Sequence, residues 1–163
     1  MAARRAFPAA TTLLLLLAAS APLGIPGQAE LQASVALACV FFWSLFRPAS
    51  MPPATVFLVG AMADLLGFAP LGSGVLTLLL AHGFAVGRRR FLVRQGFVVV
   101  WLAFVAASAM AAALQWALAS LLSLQVFPAG PAIFQAVLGA GLYPVLATVL
   151  TRAHQTLAEP RHA

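Results

Sequence analysis

Six apolar runs, separated by clusters of glycine, proline or arginine, occupy most of the chain. They cover approximately 11–25, 31–46, 53–66, 71–87, 97–124 and 131–151, and the first carries unbroken leucine over 13–17. A helix of about 17–25 apolar residues crosses a hydrocarbon core of ~30 Å, and several of the runs reach or approach that length. The pattern predicts an all-α polytopic membrane protein: a single transmembrane domain, residues 1–163, with about six helices. The third and fourth runs are short. Fourteen residues over 53–66 rise only ~21 Å at about 1.5 Å per residue, and Gly67, Pro70, Gly72 and Gly74 then break helix. These two runs are expected to form a tight hairpin whose turn dips beneath the outer surface. Non-helical backbone at that depth needs protein or trapped water to cover it.

Composition strengthens the membrane reading. Hydrophobic residues make up 63% of the chain and charged residues 7%, whereas ordinary globular domains carry about 25% charge. Too few charges remain to cover the surface of a soluble fold. A net charge of +6 would point to nucleic acid in a soluble protein, but here all the basic residues are arginines flanking apolar runs. That distribution argues against a nucleic-acid partner and for membrane lipid. Cys39, the single cysteine, lies inside an apolar run, so no internal disulfide is available and a buried, inert thiol is expected.

The arginines set the orientation. Arg4 and Arg5 precede the first run and Arg47 lies between the second and third. Arg88, Arg89, Arg90 and Arg94 lie between the fourth and fifth, and Arg152 and Arg161 follow the sixth. If every run crosses, all arginines fall on one side. The opposite connections, around 24–30, 67–74 and 125–130, contain none. Positive charge is retained in the cytoplasm during insertion, so both termini are expected there and Arg88, Arg89, Arg90 and Arg94 act as topology anchors. Trp43, Phe46, Phe91 and Trp101 are expected to form an aromatic belt at the same face. A competing reading takes Arg4-Arg5, the leucine run and Ala19-Ser20-Ala21 as a cleavable export signal. It would leave five spans with the carboxyl end still inside; a retained first helix is preferred.

Within the bundle, Ala103, Ala107 and Ala111 recur every four positions, as do Ala109, Ala113 and Ala117. Small faces let helices approach in lipid, and internal packing is the expected use. Asp64 is the one acidic residue inside an apolar run. A carboxylate at mid-bilayer costs roughly 2.5–3.5 kcal/mol on insertion scales and therefore faces a partner or water. It lies ~18 Å along its helix from the cytoplasmic start, too far for a simple pair with Arg47. Ser73, the backbone N–H groups near Gly72 and Gly74, Gln115 and Gln135 share its depth. No second ionisable residue does, so a cap on the positive end of the fourth helix is preferred to a proton or ligand site. His82 is expected to make an interhelical hydrogen bond, while His154 and His162 sit in a polar tail without metal-ligand spacing. No nucleophile elbow, phosphate loop or His-Glu-x-x-His motif occurs, and there is no lysine. Glu30, in an outer connection, and Asp64 would be a weak acid–base pair. No catalytic, cofactor or metal residues are expected.

The stretch 47–72 carries Arg47-Pro48, Met51-Pro52-Pro53, Phe57-Leu58-Val59-Gly60, Asp64-Leu65-Leu66 and Pro70-Leu71-Gly72. In these motifs it resembles the centre of MreD, the rod-shape-determining membrane protein family of bacteria. The small size, short outer loops and arginine-rich loop after the fourth run are also similar to that family. The resemblance implies a non-enzymatic scaffold in the cell inner membrane, serving peptidoglycan synthesis by the elongation machinery (elongasome) and rod cell shape. Implied partners are MreC, RodA, a penicillin-binding transpeptidase and MreB, with no cofactor. Arg47, Pro48, Pro52, Pro53, Gly60, Asp64, Leu65, Pro70, Leu71 and Gly72 become structural or interaction candidates on the same basis. The six-helix plan also resembles the substrate-binding component of energy-coupling-factor transporters, which implies an alternative role as a vitamin-type uptake subunit.

Overall fold

The computed structural model describes residues 2–21, 24–67 and 70–158. Among these residues the chain is all-helical, without strands. The helices are α1 (Ala2–Ser20), α2 (Gln28–Phe46), α3 (Pro53–Leu66), α4 (Ser73–Leu92), α5 (Phe97–Ser123) and α6 (Gly130–Ala158), with a 3-10 turn at Pro48–Ser50. Three stretches, Gln28–Phe46, Phe97–Ser123 and Gly130–Gln155, are long and apolar enough to cross a membrane. The apolar parts of α1 and α3, Ala6–Ser20 and Pro53–Leu66, are shorter. Length and composition by themselves thus carry three of the six expected crossings.

The element limits correct the sequence reading in places. Helix α3 occupies the expected 53–66, and α5 ends one residue short of the expected 124. Helix α1 begins well before the apolar run and ends at Ser20. Helix α2 starts at Gln28, so Glu30 stands in its first turn and not in a connection; a carboxylate is favoured there by the helix dipole. Helix α4 continues to Leu92, which puts Arg88, Arg89 and Arg90 on the helix, with Arg89 and Arg90 in its last turn. Cations are favoured at that end, so the arginine run extends the helix. Helix α6 likewise reaches Ala158 and carries Arg152 and His154, expected after the run and in a polar tail. Arg161 and His162 lie outside the described residues, as do the side chains of Arg4 and Arg5.

Helix α2 is the centre of the bundle. Every side chain from 34 to 45 is buried, as expected of a helix apolar on all sides, and it packs against α6, α4 and α1. Helix α3 pairs with α4, and α5 with α6. Phe41 of α2 meets Phe104 at 5.4 Å and Tyr143 at 6.0 Å between ring centroids, and Phe104 stacks on Tyr143 at 4.2 Å. Cys39 is fully buried beside them in sequence. Trp43 belongs to this core as well: it is fully buried, edge-on to Phe7 at 6.2 Å. Trp43, expected in the aromatic belt, is therefore core, whereas Phe46 and Phe91 are exposed.

The α5–α6 contact shows how the bundle repairs a broken helix. Pro144 sits inside α6 and has no N–H, so the carbonyl of Ala140 loses its helical donor. The indole Nε1 of Trp101 donates to that carbonyl at 2.9 Å. Trp101 is thus a cross-helix fastener. Of the two alanine stripes, Ala107 and Ala111 are buried and Ala103 half-buried, whereas Ala109, Ala113 and Ala117 are exposed. One stripe is packing; the other faces out of the bundle.

Candidate functional site

The prolines expected to steer the chain after Arg47 act locally. Arg47 ends α2, its N–H donating to the carbonyl of Trp43 at 2.7 Å. Pro48 opens the 3-10 turn, and Met51 behind it is fully buried. Pro52 is extended at ψ 159°, as a residue before proline must be. Pro53 then begins α3 where a missing N–H costs nothing, and the Pro52 carbonyl accepts from Thr55 and Val56 at 2.9 and 3.2 Å.

Helix α3 presents Val56, Gly60 and Asp64, four residues apart and all buried, to its neighbours. Gly60 is a close-approach position. A Cβ there would lie 2.7 Å from the Cα of Val75, well inside contact distance. Glycine therefore lets α3 lie against the start of α4, and one turn later Asp64 reaches that helix's open end. Its Oδ2 accepts from the backbone N–H of Gly72 at 2.8 Å and of Val75 at 3.3 Å, and Oδ1 accepts from Gly74 at 2.9 Å. These are donors that a helix start leaves unsatisfied, at the positive end of its dipole. Asp64 is 5% exposed, so the carboxylate is held almost entirely by backbone.

Two glycines make this cap possible. Gly72 has φ +93°, a backbone conformation glycine adopts without steric cost. At Gly74 a Cβ would land on Asp64 Oδ1. Pro70 completes the turn, its carbonyl accepting from the Ser73 N–H at 3.1 Å and the Ser73 hydroxyl at 2.7 Å. Gly60, Asp64, Pro70 and Gly72 thus come together in one knot. Leu65 and Leu71 do not join it: they point away, 71% and 75% exposed.

Beneath the knot lies a cavity of about 240 Å³ lined by Glu30, Gln32, Asp64, Gln115 and Gln135 among smaller residues. Gln135 Nε2 donates to Gln115 Oε1 at 3.0 Å, and Gln32 Nε2 to the Ala63 carbonyl at 3.4 Å. A neighbouring space of about 320 Å³ shares Glu30, Gln115 and Gln135 and adds Trp116 and Phe127. Sequence depth placed Gln115 and Gln135 near Asp64. Gln32, inside the expected second run, carries no sequence signal of facing Asp64, and Glu30, expected in a connection, stands in the first turn of α2. No group of three or more potential metal-binding side chains occurs among the described residues.

At the opposite end the anchor arginines spread over the α4 terminus. Arg89 Nε donates to the Leu45 carbonyl at 2.8 Å, tying α4 to the end of α2. Arg88, Arg90 and Arg94 are exposed. About two helical turns further in along α4, His82 Nδ1 and the Ser44 hydroxyl share a hydrogen bond of 2.7 Å between buried side chains. Compared with protein-family models, with curated proteins and with solved structures, the chain matches none.

Proposed function

We propose that this protein is a non-enzymatic, six-span membrane scaffold of the bacterial wall-elongation machinery, of the MreD type. Both termini would lie in the cytoplasm and the body in the inner membrane. It would bind MreC and, through that complex, RodA and a penicillin-binding transpeptidase, with MreB on the inner face. The observation that carries the reading is that Pro52, Pro53, Gly60, Asp64, Pro70 and Gly72, six of the residues bearing the resemblance, shape one hairpin. Pro52 and Pro53 aim α3, Gly60 presses it to α4, and Asp64 fastens the hairpin through three backbone donors. Such a fastened hairpin presents Phe57, Leu58 and Leu65, all exposed, as a fixed apolar face for another protein's membrane helix.

Depletion in a rod-shaped host is expected to round the cells, and Asp64→Ala is expected to lower co-purification of the MreC-like partner. Retained rod shape after depletion would sink the proposal.

One feature favours a second reading, an uptake subunit with the fold of the energy-coupling-factor substrate-binding component. The cavity lined by Glu30, Gln32, Asp64, Gln115 and Gln135 has the polar groups a vitamin-type ligand needs for orientation. Unchanged shape together with lost vitamin uptake on depletion would reverse the ranking.

A further inference from the structure

A third cavity, about 450 Å³, opens at the arginine-bearing end between α2, the end of α4, α5 and α6. Its size falls within the roughly 300–1,000 Å³ of small-molecule sites. Phe42, Val100 and Ala147 form its apolar inner wall, all buried. Gln95, Thr151 and Arg152, all exposed, also line it, adding an amide, a hydroxyl and a guanidinium to an otherwise largely apolar groove. A water-soluble anion would gain little from the apolar walls, and a purely apolar occupant would leave the guanidinium unused. The groove therefore matches an amphiphile with an apolar chain and an anionic head. The arginine side of the helices is where headgroups lie in a bilayer, and cationic side chains there attract anionic lipid.

We propose that this groove holds one acyl chain of an anionic phospholipid, with its phosphate resting on Arg152. The site goes beyond the wall-scaffold reading and rests only on the membrane reading of the long apolar helices. Guanidinium pairs with phosphate through directed, charge-assisted bonds, while the Gln95 amide and the Thr151 hydroxyl supply neutral donors to the remaining oxygens or the glycerol esters. The lipid would fill the seam between α2, α5 and α6.

The test uses the full chain, purified in mild detergent, exposed to equal phosphatidylglycerol and phosphatidylethanolamine and examined by native mass spectrometry. One phosphatidylglycerol should be retained, preferred by roughly tenfold, because the ammonium of phosphatidylethanolamine is repelled by Arg152 and offsets the pull on its phosphate. Arg152→Gln should bring the two lipids to parity, and Arg152→Lys should keep most of the preference. Thr148→Trp, which fills the groove from α6, should remove both. Arg88→Gln, on α4 outside the groove, should change nothing. An equal loss of preference from Arg88→Gln would mean diffuse charge attraction, and lipid retained by Thr148→Trp would mean another location; either overturns the site. Displacement by glycerophosphoglycerol, the headgroup without chains, would make it a phosphate site and overturn the acyl-chain assignment. A chain recovered from membranes without any such lipid defeats this site alone, whereas one recovered in water without detergent defeats the membrane reading beneath it.

Discussion

Replacing Asp64 by alanine removes the acceptor for three backbone donors at once. The N–H of Gly74 is buried, and a buried donor left without a partner costs about 1–3 kcal/mol. Gly72 is exposed and Val75 half-buried, so water can reach these two, and their loss resembles that of an ordinary helix cap at about 0.5–2 kcal/mol. Relief of the desolvated carboxylate offsets part of the sum. The net expectation is roughly 1–4 kcal/mol of destabilisation, which at about 2–4 °C per kcal/mol lowers the melting midpoint by roughly 2–16 °C. Tryptophan fluorescence during heating in detergent would read it. Asp64→Asn should fall between, because its amide nitrogen cannot accept. A second test uses Gly74→Ala, whose methyl collides with Oδ1 in the native chain but finds space once the carboxylate is gone. Combined with Asp64→Ala, its cost should therefore be well below additive. Additive losses, or an Asp64→Ala midpoint within about 1 °C of the native protein, would refute the account of the cap given the conversion above.

The remaining expectations concern single contacts. Gly60→Leu should destabilise by about 1–3 kcal/mol or more through overpacking against Val75 and should weaken the Asp64 cap, seen as faster amide exchange at Gly74; native exchange there would show the close approach is not needed. Trp101→Phe should cost about 1–3 kcal/mol by stranding the Ala140 carbonyl, and Pro144→Ala should recover most of it in the double variant by restoring the helical donor. No recovery would mean the indole acts only by packing. Ser44→Ala should cost about 0.5–1.5 kcal/mol and shift the His82 ring resonances in NMR; unmoved resonances would disprove the Ser44–His82 bond.

Much of the helical layout was legible before the structure because it depends on local chemistry. Apolar runs bounded by glycine and proline located α3 to the residue and α5 nearly so. The depth of Asp64, with glycine around the turn, was sufficient to expect a carboxylate over the start of α4. His82 was legible as an interhelical bond for a similar reason, since a lone imidazole among apolar residues must find a partner. The errors were also local. Arginine was read as ending α4 and α6, yet its long stem lies along a helix while the charge reaches outward. Glu30 was read as loop for the same reason of polarity, although an acid suits a first turn.

Composition and run spacing by themselves determined that the chain is helical, apolar and asymmetric in charge, because those properties are sums over near neighbours. Only the tertiary structure decided which alanine stripe turns inward, that Trp43 is core, that Trp101 answers the gap left by Pro144, and that Glu30, Gln32, Asp64, Gln115 and Gln135 share one cavity. These depend on which helix face meets which, and a helix apolar on most sides carries no local signal of its own rotation. Packing volume and the need to pair most buried polar groups select the rotation, and both are properties of the assembled bundle.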